Sequence, residues 1–122
     1  MLPCRPMSAC TFCSISPDRT LLSTDIAVAI PHPEPITPGH TVVVSRRHVS
    51  EFFELDVEEQ QIMWQIVGAV QQAIMKAAPV EGFSIGFADF HESSDGHAHI
   101  HVLPRRSGNQ FKLPEGIEWV VD

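Results

Sequence analysis

Apolar and polar positions alternate most regularly in the segment GHAHIHVLPRR. Ala98, Ile100 and Val102 interleave there with His97, His99 and His101. A period of two predicts a β-strand over 97–103, with the apolar side chains on one face and three imidazoles on the other. Two shorter apolar runs, Arg19 to Ser23 and Ile26 to Ile30, predict strands joined by a turn at Thr24-Asp25. Thr41 to Ser45 predicts another, and GFSIGFA, beginning at Gly82, an antiparallel partner for the histidine strand. A last apolar run, Trp119 to Val121, follows a turn at Glu115-Gly116 and predicts an edge strand.

A period near 3.6 occurs once. Ile62, Ile66, Val67, Val70 and Ile74 form one stripe, whereas Glu58, Glu59, Gln61, Gln65, Gln72 and Lys76 fall largely away from it, which predicts a helix over 57–78 with one face on a sheet. Asp56 followed three residues later by Glu59 has the spacing of a capping box, and Pro79 supplies the stop. Between the second and third strands, Pro31, Pro33, Pro35 and Pro38 deny donors to any ladder. The stretch 31–40 is therefore expected to be a stiff irregular loop, closed by Gly39 and able to border a pocket. Strands, one long helix and more strands joined by hairpin-compatible loops define an α+β class with an antiparallel sheet.

Length and charge narrow the possibilities. A chain of 122 residues is expected to be one domain, 1–122, with a core burying about two-thirds of the unfolded surface. Fifteen acidic residues against eight basic ones, a net charge of -7, argue against a broad nucleic-acid surface. Arg46-Arg47 and Arg105-Arg106 could each serve a small polyphosphate or be solvated strand-end pairs. No apolar run approaches a membrane span and the first residues lack the apolar core of a signal peptide, so a cytoplasmic protein is expected. Cys4, Cys10 and Cys13 suit a reduced compartment, and the C-x-x-C at Cys10 and Cys13 fits a zinc half-site better than an activated redox pair.

The histidine row is the candidate seat of chemistry. A neutral imidazole can attack phosphorus through one nitrogen while the other carries the proton that fixes its tautomer. Strand rise separates same-face neighbours by about 6.6 Å, so His97 and His101 can flank a phosphate at His99, and the middle residue is the geometric choice for nucleophile. Three imidazoles could instead hold a catalytic metal with activated water, an alternative that leaves CTFC and PITPGHTVVVSRRH unexplained.

Together these stretches resemble the histidine-triad family of nucleotidyl hydrolases and transferases. His97-Ala98-His99-Ile100-His101-Val102-Leu103 fits its signature at every position, and Pro38-Gly39-His40 precedes a strand as in that family. The resemblance covers Cys10 to Arg105. It implies a five-stranded antiparallel sheet with one long and one short helix, the short one at about Val49 to Leu55, usually paired as a homodimer. It further implies His99 as nucleophile, His101 as the contact to phosphate and leaving-group oxygen, and His97 as an orienting residue or metal ligand.

Ser94 matches a hydroxyl near the bridging oxygen, and Phe12 and Ile15 match positions embracing the base. His40 falls in a structural turn, and His32 stands where many members carry a ribose-binding aspartate. Zinc-bearing members imply a structural site from Cys10, Cys13, His48 and His97, with no metal needed for catalysis. The loop between Gly86 and His97 departs from the family pattern, with Ala88, Asp89 and a short HESSDG. The implied substrate is a nucleotide. The non-enzymatic alternative is a zinc-stabilised nucleotide-binding module.

Overall fold

The computed structural model describes residues 20–47, 49, 52–87 and 98–106, together with the backbone of 118–121. Strands β1 (Leu22–Ser23), β2 (Ala27–Pro31) and β3 (Thr41–Ser45) come first. The helix α1 (Val57–Ala77) follows, then β4 (Gly82–Phe87), β5 (His99–Arg105) and β6 (Glu118–Val121). Every pairing is antiparallel, in the order β1-β2-β3-β5-β4-β6. Beyond the two-residue edge strand β1 this is the expected five-stranded α+β architecture. The short helix expected at Val49 to Leu55 is a single 3-10 turn, Phe52–Glu54.

Because β5 lies between β3 and β4, those two strands run parallel and cannot be joined by a hairpin. α1 makes the crossover and packs on β2, β3 and β5. The period-two pattern then sorts the sheet into two faces. Ala27, Ala29, Val43, Phe83, Ile85, Phe87, Ile100 and Val102 face the helix and join one core with Met63, Ile66, Val67 and Val70. Val28, Ile30, Val42 and Val44 form a second buried cluster. On this second face His101 stands beside Val42 and His99 beside Val44.

Three local expectations need correction. The histidine strand runs to Arg105 rather than ending at Leu103; β3 has already ended beside Val102, so Pro104 is tolerated where the strand is paired on one side only. Met63, absent from the expected stripe, is fully buried, whereas Ile62 and Ile74 are only partly so. Glu59, expected in solvent, is 5% exposed. Its Oε1 accepts the Asp56 N–H at 2.9 Å, the return bond of the capping box, and also pairs with Arg47 Nη2 at 2.9 Å. The guanidinium compensates the burial and holds the Glu59 carboxyl below its usual range, through its hydrogen bond first.

Among the described residues no helix is long and apolar enough to cross a membrane.

Candidate active site

The proline-rich segment ends at Gly39, whose φ of +91° lies in the left-handed region that glycine adopts without penalty. That turn delivers His40 to the start of β3. His40 is two residues before Val42, the residue opposite His101, and so shares the face of His99 and His101. On the neighbouring strand the Pro31–Thr41 pair sets His32 beside His40, and the His32 N–H donates to the His40 carbonyl at 2.9 Å. Four imidazoles thereby meet on one face, brought there from positions up to 69 residues apart in numbering, His32 and His101 at the extremes.

Their hydrogen bonds form a directed chain. The Ile36 N–H donates to His40 Nδ1 at 3.2 Å. A neutral His40 must then carry its proton on Nε2, which lies 3.0 Å from His101 Nδ1 and donates to it. His101 in turn carries its proton on Nε2, 3.1 Å from His99 Nε2. The tautomers follow from this network, which starts at a main-chain donor whose proton cannot be shared away.

Both relay rings are held neutral. His40 is pushed down to about 3, by burial first and then by the neighbouring His32 and His99 imidazoles. His101 is pushed down to about 2, again by burial first and then by His99, His40 and His32. His99 and His101 are 6% and 7% exposed. A buried neutral imidazole keeps a lone pair for nucleophilic work and an N–H for donation, whereas an imidazolium has only donors.

The strand-rise expectation placed His99 and His101 about 6.6 Å apart. Their side chains lean together instead, with ring centres 4.7 Å apart at a steep 79°. His99 therefore has its Nε2 lone pair aimed at the His101 donor. A phosphoryl group entering between them would receive both the lone pair and the N–H.

His32 is the least buried of the four, and it stacks on His40 with ring centres 4.3 Å apart and planes 11° from parallel. One ring nitrogen of each of His32, His40 and His101 lies within 4.8 Å of the other two, a spacing suggestive of a metal site. The donor chemistry opposes it. Main-chain N–H groups of Glu34 and Ile36 donate to Nδ1 of His32 and His40, so both rings carry protons on Nε2. A coordinating histidine needs the reverse, a bare ligating nitrogen with the other nitrogen protonated and donating to an acceptor.

His40 is the residue whose participation sequence reasoning missed. The available signal was its even offset from Val42 and Val44 on a strand. Of the other expected site residues, His97, Ser94, Phe12 and Ile15, and the metal candidates Cys10, Cys13 and His48, lie outside the described residues. The two arginine pairs are engaged with the protein. Arg46 Nε bonds the Thr24 carbonyl, Arg47 the Glu59 carboxylate, Arg105 Nε the buried Ser84 hydroxyl at 2.6 Å, and Arg106 Nη1 the Pro38 carbonyl.

An antiparallel sheet crossed by one helix, with alternating histidines beside a proline-glycine-histidine turn, defines a histidine-triad architecture. The HIT domain family matches residues 14–108, and the chain belongs to that family. It is 32% identical over 102 residues to an uncharacterised HIT-like protein of Saccharolobus solfataricus, covering 78% of this chain and 73% of that one. It is 30% identical over 88 residues to the asymmetrical bis(5'-nucleosyl)-tetraphosphatase of Schizosaccharomyces pombe, covering 70% of this chain and 48% of that enzyme. The chain thus spans about half the length of that enzyme.

Among solved structures, the NitFhit protein of C. elegans superposes with a TM-score of 0.74 at 28% identity, over 83% of this chain and 25% of that one. The protein SMU.412c of Streptococcus mutans superposes with a TM-score of 0.77 at 24% identity, over 88% of this chain and 73% of that one.

Proposed function

We propose that the protein is a nucleotide hydrolase or transferase working through a covalent nucleotidyl intermediate on His99. The observation that carries this reading is the 3.1 Å pair of His99 Nε2 and His101 Nε2 at the end of the tautomer-fixed chain from Ile36 through His40. Family membership and the relative that is a bis(5'-nucleosyl)-tetraphosphatase support a nucleotide polyphosphate or phosphoramidate as substrate.

His99 Nε2 attacks the nucleoside phosphorus, an N–P bond forms, and the bond to the leaving group breaks. His101 Nε2–H turns from His99 to the departing atom and stabilises its developing negative charge by a hydrogen bond; a phosphate oxygen departs as the anion, and an amine nitrogen takes up a proton from solvent as the P–N bond breaks. Water then attacks the same phosphorus and breaks the N–P bond. His99 is restored, and a nucleoside monophosphate and one proton are released. Nucleophile and donor are both imidazoles, so the step itself calls on no metal.

His97 is assigned to orienting the site, and Ser94, Phe12 and Ile15 to substrate contacts. A structural zinc on Cys10, Cys13, His48 and His97 is part of the same reading. Val49 and Ala98, each the next residue after one of these histidines, are joined by an Ala98 N–H to Val49 carbonyl bond of 2.7 Å. That bond supports a clip between the two chain segments.

The test is intact-mass spectrometry after mixing with an adenosine phosphoramidate and a rapid alkaline quench, beside the His99→Ala variant. A nucleotidyl increment on the native protein alone is expected. Undiminished hydrolysis by His99→Ala would overturn the mechanism. For the clip, zinc analysis of untagged protein is expected to give close to one equivalent.

A further inference from the structure

His32 and His40 lie opposite each other one residue beyond the paired ends of β2 and β3, joined by the His32 N–H to His40 carbonyl bond, within reach of cross-strand side-chain contact. Each ring is fixed the same way: Nδ1 of His32 accepts the Glu34 N–H at 3.0 Å, and Nδ1 of His40 the Ile36 N–H at 3.2 Å. The proline-rich loop therefore supplies two main-chain donors to two nearly parallel imidazoles stacked at 4.3 Å. The inner ring bonds His101, through His40 Nε2 to His101 Nδ1 at 3.0 Å, and the outer ring faces His101 with ring centres 5.6 Å apart.

The second torsion of a histidine is broad and roughly two-fold, so hydrogen bonds at Nδ1 and Nε2 still leave the His40 ring some freedom to tilt about it. A flat neighbour 11° from parallel excludes the tilted settings, and the Ile36 N–H selects between the two coplanar ones. We infer that His32 is a positioning residue: by stacking on His40 it aims the His40 Nε2–H at His101 and so sets the tautomer that His101 presents to His99. This assignment rests on the proposed hydrolase or transferase reading, and it gives His32 a role other than the ribose contact implied by its place in the family pattern.

The experiment compares native protein, His32→Ala and His32→Phe. Phenylalanine keeps a flat ring but offers no N–H to a substrate. Two readouts are taken, long-range proton–nitrogen spectra of the resting imidazoles and the kcat and KM for an adenosine phosphoramidate. In His32→Ala, His40 and His101 are expected to move from single-tautomer signals toward averaged ones. With a stacking pair contributing as aromatic pairs do, kcat is expected to fall about two- to tenfold with KM little changed. His32→Phe is expected to restore both.

A raised KM in both variants with native tautomer signals would overturn the inference and make His32 a substrate contact. Native signals and native kcat in His32→Ala would overturn it as well. The spectra need no turnover, so an inactive native protein would count against the proposed function while the positioning role was still decided by the signals. His32 is partly exposed, and thermal unfolding of each variant checks that the fold is retained.

Discussion

Lowering the pH from 7 to 5 is expected to destabilise this protein through His40 and His101. In the unfolded chain each imidazole titrates near 6.5, whereas in the fold burial pushes them down to about 3 and about 2. A group with a depressed folded pKa contributes stability that is present above its unfolded pKa and lost as the pH falls toward its folded one, here between 6.5 and about 3. One unit of separation corresponds to about 1.4 kcal/mol, so at pH 5, about 1.5 units below 6.5, each histidine forfeits about 2 kcal/mol and the two about 4 kcal/mol. That figure depends only on both folded values lying well below 5.

The assay is urea unfolding followed by tryptophan fluorescence at a series of pH values, with the slope against urea held common. Carboxylates such as Glu59, also depressed, enter only below this window. His101→Gln removes one titrating group and is expected to roughly halve the loss, to about 2 kcal/mol. A variant that loses as much stability as the native protein between pH 7 and 5 would refute the claim that this imidazole is held neutral in the fold.

Three further perturbations follow from the packing. Met63→Ala empties a fully buried position between helix and sheet and is expected to cost about 2–5 kcal/mol in urea unfolding. Gly39→Ala imposes a side chain at φ +91° and sets its Cβ 3.1 Å from Pro104 Cγ. Circular dichroism should show the fold retained with a lowered Tm, while the shifted turn weakens the His40–His101 bond and reduces kcat. Glu59→Ala removes the acceptor shared by the Asp56 N–H and Arg47, and about 1–3 kcal/mol of stability should go with it; measured above pH 5 the loss should be full, shrinking as the native carboxyl is protonated in acid.

What the sequence by itself determined is what adjacent residues dictate to one another. The alternation across His99 to Val102 decides which side chains share a face, because successive residues on any strand point opposite ways. The 3.6 period and the Asp56–Glu59 spacing decided the helix and its start for the same reason. Prolines marked the loop, since a missing N–H is a property of the residue alone.

The tertiary structure decided everything that depends on strand order and register. Placing β5 between β3 and β4 sets His101 beside Val42, and only then does His40, two residues earlier, come within 3.0 Å of a residue 61 positions away. The same register stacks His32 on His40 and buries His40 and His101, the two rings held neutral. Glu59 looked like a solvent residue because its helix phase is polar, yet Arg47, on the segment leaving β3, reaches over to it. Such pairings are absent from local pattern because the distance between two side chains in a sheet is fixed by which strands are neighbours and how they are aligned.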